Sequence, residues 1–449
     1  MTIFALASGR GRAGVAVMRI SGAGAGPALS VLCSGRASPA ALPHPRRASV
    51  RTLQDPATGA PIDRALVLWF PAPDSFTGED VAEVHMHGGR AVIEWVVAAL
   101  MTCPGLRPAE PGEFTRRAFE HGKLDLTEAE GLADLVNAET EAQRRQAFQQ
   151  FDGALGRLYE DWRGRLIEAL AEIEAAIDFS DEALPDGLIA GARHAARALH
   201  AEMAAHLDDG HRGERLRDGI RIAVLGPPNV GKSSLFNALA RRDAAIVSSL
   251  AGTTRDLIEV HLDLDGYPLT VIDTAGLRAP GDDIEGEGVR RARQMAEAAD
   301  LRLVLVDARD WPEMADETAA LIDDRALLVV NKIDLSPVDA GIWNGVPVHG
   351  VSARTGAGLA ALVSALGTRV ADLFEATAGA GPGLTRRRHR QALEAACVHL
   401  DRALTADDDA AELIAEDLRL AARDLGRITG RVDVEDILDV VFRDFCIGK

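Results

Sequence analysis

Apolar and polar positions divide the chain into segments of three kinds. Val15-Ala-Val-Met-Arg-Ile20, Ala65-Leu-Val-Leu-Trp-Phe70 and Val81-Ala-Glu-Val-His-Met-His87 read as strands, the last with a polar residue at alternate places. Ala91 to Met101 reads as a helix, and Pro, Gly and Arg fill the connections. This predicts an α+β domain over residues 1–118. From 119 the spacing turns helical. Asp125-Leu-Thr-Glu128 can cap a helix start, and Leu155, Leu158, Trp162, Leu166, Leu170, Ile173 and Ile177 make one long apolar face. Phe179 to Gly187 breaks that face, an alanine-rich helix runs to about Leu207, and Asp208 to Gly213 marks a boundary. Residues 216–376 alternate strand and helix, as an α/β domain does. A Gly- and Ala-rich linker, 376–383, leads to helices at Arg387–Leu404, Ala410–Leu425 and Asp433–Phe445. Helices on both flanks predict that the α/β domain is inserted into a helical domain built from residues 119–215 and 377–449.

The α/β segment carries the clearest chemistry. Ile220-Arg-Ile-Ala-Val-Leu225 runs into Gly226-Pro-Pro-Asn-Val-Gly-Lys-Ser233, a G-x-x-x-x-G-K-S phosphate loop, and a helix can open at Ser234. The glycines let backbone N–H groups of Asn229, Val230, Gly231, Lys232, Ser233 and Ser234 close around phosphate oxygens. Lys232 adds a positive charge, and the Ser233 hydroxyl can hold Mg²⁺. Asp273-Thr-Ala-Gly276 ends a second apolar run. Asp273 can hold the Mg²⁺ shell, and Gly276 can offer its N–H to a γ-phosphate. Gly252-Thr-Thr-Arg-Asp256 lies between them, where a switch threonine, Thr254, can reach Mg²⁺. Asn331-Lys332-Ile-Asp334 follows Ala326-Leu-Leu-Val-Val330. The Asp334 carboxylate can accept from guanine N1 and the amino group, which adenine does not present in that arrangement. Ser352-Ala353-Arg354 can finish the base pocket. Five motifs in this order at strand ends predict a GTP site in a P-loop GTPase domain.

Two departures narrow the type of GTPase. The position after Asp273-Thr-Ala-Gly276 is Leu277, which cannot orient water. Glu285 and Glu287 in the acidic, glycine-rich loop that follows are the polar substitutes. Glu285 is the candidate catalytic residue and Glu287 reads as a solvated charge. The second departure is Asn229 in the phosphate loop. It is either a turn residue or a ligand for a monovalent cation, K⁺, with Ser248, Leu250 and Thr253 of the neighbouring switch completing the cage. Such a cation supplies the positive charge that an arginine finger gives elsewhere.

The formal charge of −19 excludes a broad basic surface for nucleic acid. The charge is uneven: residues 1–118 hold 12 arginines against 9 acids. Arg386-Arg-Arg-His-Arg390 is a further basic cluster, read either as a nucleic-acid contact or as a solvated helix start. Four cysteines, at 33, 103, 397 and 446, show no metal or disulfide spacing and fit a reducing compartment. No segment reads as a membrane span, so a cytoplasmic protein is expected.

The phosphate loop, Gly252-Thr-Thr-Arg-Asp256 and Asp273-Thr-Ala-Gly-Leu-Arg278 resemble those of the tRNA-modifying GTPase family MnmE (TrmE). Arg19-Ile-Ser-Gly22, Ser75-Phe-Thr-Gly-Glu-Asp80, His85-Met-His-Gly-Gly89, Pro111-Gly-Glu-Phe-Thr-Arg116 and the terminal Phe445-Cys-Ile-Gly-Lys449 are similar to its other signatures, so the resemblance spans the chain. It implies a homodimer formed through an N-terminal folate-binding domain, with Arg19, Glu83, Lys123 and Lys449 as folate contacts. It also implies a methylene- or formyl-tetrahydrofolate one-carbon donor and an FAD-dependent partner (MnmG). The implied product is a carboxymethylaminomethyl-type group on a tRNA wobble uridine. Cys446 is either a nucleophile for that chemistry or a small buried anchor for the tail. His85 and His87, two apart on a strand, share a face, but no third ligand accompanies them, so packing or a polar surface is expected. The competing readings are a ribosome-assembly GTPase switch that docks RNA and a scaffold that binds GTP without turnover.

Overall fold

The computed structural model describes the chain except residues 10, 35–40, 180–187, 242–244, 247–257, 274–296, 339–340, 376–381, 408–409, 433–434, 444 and 449. Its contacts divide into two compact units. One holds residues 1–133, 150–165 and 422–449, and the other 134–149 and 166–421.

In the first unit, β1 (Thr2–Leu6), β2 (Ala13–Ser21), β3 (Ser49–Gln54), β4 (Pro61–Phe70), β5 (Val81–Gly88) and β6 (Leu106–Pro108) form a sheet of order β3-β4-β5-β2-β1-β6 among the described residues. The three strands expected from alternation are β2, β4 and β5. Their inward residues Met18, Ile20, Val67 and Val84 pack with Phe4, Leu29, Val96 and Leu100. Leu29 comes from α1 (Ala25–Ser34), and Val96 and Leu100 come from α2 (Arg90–Met101); these helices cover that face. Period-2 alternation sends Arg19, Glu83 and His85 to the other face. α3 (Glu113–Glu120) and α4 (Leu126–Asn137) follow. The expected cap at α4 forms reciprocally: Asp125 Oδ1 accepts the Glu128 N–H at 2.8 Å, and Glu128 Oε2 accepts the Asp125 N–H at 2.7 Å. Leu126 and Ala129 pack with Leu438 and Phe442 of the chain's last described helix, Glu435–Arg443, and with Phe445 beyond it.

Two helices, α5 (Glu141–Phe151) and α6 (Ala154–Asp178), run through both units, and the apolar face of α6 buries Leu155, Tyr159, Trp162, Leu166 and Ile173. In the second unit α7 (Leu188–Leu207) packs on the helix Arg387–Thr405. α8 (Arg212–Asp218) leads into β7 (Ile220–Leu225). The sheet joins β7 to β8 (Ala245–Ile246), β9 (Ile258–Leu264), β10 (Tyr267–Asp273), β11 (Leu301–Asp307), β12 (Ala326–Asn331), β13 (Gly341–Trp343) and β14 (Val346–Val351). Their order is β13-β14-β12-β11-β7-β10-β9-β8, with β10, β7, β11, β12 and β14 parallel. β7 lies between β10 and β11, so successive strands leave to opposite sides. A phosphate ligand belongs in the crevice at such a reversal, beyond the strands' carboxyl ends.

The two ends of the α/β segment lie side by side, as insertion requires. The Leu384 N–H donates to Asp209 Oδ2 at 3.3 Å, and Gly213 sits so close to the Leu384 carbonyl that a Cβ there would overlap it. This corrects the reading of the Arg386–Arg390 cluster. Arg386 donates both arms to Asp134 at 2.7 and 2.8 Å. Arg390, 8% exposed, donates to Asp209 at 2.6 Å and to Glu214, and His389 is fully buried. Two of the four arginines are therefore internal clamps, while Arg387 remains exposed. Arg390→Ala would leave a buried Asp209 carboxylate without its cation. We expect a loss of about 3–5 kcal/mol, read as a lower urea midpoint for this unit. No described helix is long and apolar enough to cross a membrane.

Candidate functional site

The phosphate loop is shaped by three left-handed residues, Gly226 (φ 139), Asn229 (φ 61) and Gly231 (φ 102). Gly226 lets the loop press against the Leu305 carbonyl, where a Cβ would come within 2.5 Å. α9 (Lys232–Ala240) opens directly after Gly231. Ser233, Ser234 and Asn229 are exposed there, and Val230 is buried in the core. The Lys232 ammonium donates to the carbonyls of Gly226 (2.8 Å) and Pro227 (2.9 Å), which holds its charge over the loop. An exposed hydroxyl at the first turn of a helix, where the backbone N–H groups point out of the helix end, suits phosphate and Mg²⁺.

The residues expected to read the base meet the same loop. Asn331, 1% exposed, donates Nδ2 to the Val230 carbonyl at 2.9 Å and accepts the Ala353 N–H on Oδ1 at 3.1 Å. Lys332 donates to the Asn229 carbonyl at 2.7 Å. Asp334 accepts from Ser352 Oγ and from Arg354, each at 2.6 Å. The Ser352 hydroxyl, opposed by slight desolvation and helped by the Arg354 charge, holds the Asp334 carboxyl below the usual carboxylate range. It is therefore an anionic acceptor at neutral pH. The structure thus gathers Asn229, Val230, Gly231, Lys232, Ser233, Ser234, Asn331, Lys332, Asp334, Ser352, Ala353 and Arg354 at one end of the sheet. Asp273 ends β10 beside Val224 of β7, consistent with the expected placement of its backbone. Ser248, Leu250, Thr253, Thr254, Gly276, Glu285 and Glu287 lie outside the described residues, as does Lys449.

Asp307 escaped the sequence reading. It ends β11 and accepts from Lys332 at 2.8 Å and from Arg309 at 3.0 and 2.6 Å. The available signal was an acid closing the apolar run Leu303 to Val306, as Asp273 closes Leu269 to Ile272.

In the first unit, Arg19 of β2 stands opposite Glu83 of β5 and donates to it at 3.0 Å. Its guanidinium also lies over the rings of Phe76 (5.3 Å) and Phe114 (5.8 Å). Both side chains remain about one-fifth exposed, at 22% and 19%. They form a half-buried, aromatic-flanked charge pair. The Ser75–Asp80 loop is tied in place: Ser21 bonds Thr77 at 2.7 Å and Glu79 at 2.8 Å, and Arg117 donates to Glu79 at 2.8 Å. Exposed Lys123 reaches past Gly78 of that loop. His85 pairs with Glu83 and His87 with Asp63. Among the described residues no cluster of three or more ligand side chains could hold a metal.

The C-terminal signature is built into this unit. Ile447 bridges Pro111 as an antiparallel pair, and Gly448 (φ 102) presses on the Leu6 carbonyl. Buried Phe445 anchors the tail, not Cys446, whose side chain is exposed. An exposed thiol on a pinned segment can meet a substrate.

Residues 2–123 match the family model of the GTP-binding protein TrmE N-terminus, and residues 126–446 match that of the MnmE helical domain. A tRNA modification GTPase MnmE of Parvibaculum lavamentivorans is 58% identical over 451 residues, covering 100% of both chains. Another, of Rhodospirillum rubrum, is 57% identical and covers 100% of this chain and 99% of its own. Among solved structures, the G domain of the T. maritima FeoB iron transporter is similar over 34% of this chain and 98% of its own, at 26% identity and a TM-score of 0.25.

Proposed function

This chain belongs to the MnmE family of tRNA modification GTPases, and on that premise we propose that it uses GTP turnover to drive a one-carbon modification of the tRNA wobble uridine. The reaction installs a carboxymethylaminomethyl-type group, shared with an FAD-dependent partner (MnmG), by a homodimer paired through the N-terminal domain. The observation that carries this reading is that the exposed Cys446 thiol and the Arg19–Glu83 pair are built from one unit, the thiol on a tail bonded to Pro111 and packed on Leu6.

The residues there fit a folate. Glu83 can accept from the amino edge of a flat pterin, Phe76 and Phe114 offer apolar faces, and Arg19 and Lys123 suit an anionic glutamate tail. A bound methylene- or formyl-tetrahydrofolate would supply the one-carbon unit. The phosphate loop fits GTP, with Mg²⁺ on Ser233 and Thr254 and K⁺ on Asn229, Ser248, Leu250 and Thr253. Glu285 orients the attacking water through a second water, replacing the glutamine that Leu277 lacks. The K⁺ would supply positive charge where phosphoryl transfer needs it, and the GTPase domains would pair to order its cage.

Two measurements test the reading. Multiple-turnover GTP hydrolysis should run at least about tenfold faster in K⁺ than in Na⁺ at equal ionic strength. Equal rates would remove the cation from the account. Tetrahydrofolate should bind the full chain, and Arg19→Ala should abolish that binding. A chain that hydrolyses GTP but takes no folate is instead an RNA-docking switch.

A further inference from the structure

Lys332 and Asn229 both hold left-handed backbone conformations, φ 68 and φ 61, that non-glycine residues rarely adopt. Such conformations persist where the surroundings over-determine them. The two residues are joined: the Lys332 ammonium donates to the Asn229 carbonyl at 2.7 Å. Its second acceptor is Asp307 Oδ2 at 2.8 Å. Asp307 is itself fixed. Its side chain is 7% exposed, Arg309 grips both carboxylate oxygens, and the Arg309 N–H donates to Oδ1 at 3.0 Å. The backbone locks the same corner, since the Ala308 N–H donates to the Asn331 carbonyl at 2.8 Å.

We propose that Asp307 is a positioning residue of the nucleotide site, holding the Lys332 ammonium against the Asn229 carbonyl so that the base-reading strand end and the phosphate loop keep one geometry. Asp307 need not touch the nucleotide. A neutral residue at 307 leaves the ammonium free to swing toward solvent and the left-handed Asn229 without its tether. Arg309, bonded to both oxygens, holds the carboxyl well below the usual carboxylate range, although desolvation opposes it. The tether therefore stays charged throughout the neutral range. This inference rests on the reading of Asn331 to Asp334 as the base reader, and a separate arm tests that reading.

The experiment titrates the full chain with fluorescent GDP and with its inosine analogue, IDP, for wild type, Asp307→Asn, Lys332→Met and the double variant. Asp307→Asn keeps the size and removes the charge. It should weaken GDP binding about tenfold and IDP binding by the same factor, because Asp307 positions the site and does not read the base edge. The double variant should bind no worse than Lys332→Met within about twofold, since both changes cut one tether. The melting transition without nucleotide should stay close to that of wild type for Asp307→Asn. Affinity within twofold of wild type would overturn the proposal, and so would additive losses or a lowered melting transition that accounts for the effect. Should Lys332→Met not fold, the nucleotide dissociation rate of Asp307→Asn decides: about tenfold faster release with unchanged melting supports positioning, and unchanged release refutes it. Asp334→Asn is the separate arm. It should narrow the gap between GDP and IDP, and an unchanged gap there would refute the base reader and not the tether.

Discussion

Gly231→Ala should cost the protein on the order of 10²-fold in GTP affinity while the chain stays folded. Gly231 precedes α9 at φ 102, where an L side chain is strained in any case. A Cβ there would also overlap Asn331 Nδ2. Asn331 cannot yield cheaply, because it holds the Val230 carbonyl and the Ala353 N–H and is almost fully buried. The methyl group thus either opens the phosphate loop or breaks the link to the base pocket. Backbone strain of about 1–3 kcal/mol together with one lost hydrogen bond gives the stated magnitude. Gly164→Ala is the control, since nothing lies within 4 Å of its added methyl and its φ is ordinary. Isothermal titration with a non-hydrolysable GTP analogue reads the difference. Affinity within threefold of wild type would mean that the loop does not bind phosphate as described.

Cys446→Ser should abolish the tRNA product, a loss on the order of 10² or more, with GTP hydrolysis near normal. The side chain is exposed, so serine costs the fold little. Gly448→Ala should give the same phenotype by another route. Its φ of 102 and the Leu6 carbonyl leave no room for a methyl group, so the tail that presents Cys446 must shift. Parallel loss of product in both variants, with intact GTP turnover, ties the thiol and its placement to the modification. Loss of soluble protein on Cys446→Ser would restore the anchoring role. Full product with Gly448→Ala would mean that the tail's position is unimportant.

Local signals were legible in the sequence. The alternation of Val81 to His87 set the faces of β5, Asp125 and Glu128 announced their own cap, and the phosphate loop was readable from glycine spacing between a strand and a helix. Pairings between distant segments were not legible. Arg386 and Arg390 looked like free charge because their partners Asp134, Asp209 and Glu214 lie more than 170 positions upstream. Phe76 and Phe114 stood inside recognised motifs, yet only folding brings both rings to Arg19. Burial of Phe445 with exposure of the adjacent Cys446 depends on the turn after the last helix, which composition does not encode. Asp307 was missed because an acid ending a strand has meaning only once Lys332 is seen beside it.

The central claim is that GTP turnover here serves a tRNA modification. Nucleoside mass spectrometry of tRNA from a strain lacking this chain tests it most directly. The account predicts that the carboxymethylaminomethyl-type wobble uridine disappears, returns with the wild-type chain, and does not return with Cys446→Ser. An unchanged set of tRNA nucleosides in the deletion strain would contradict it.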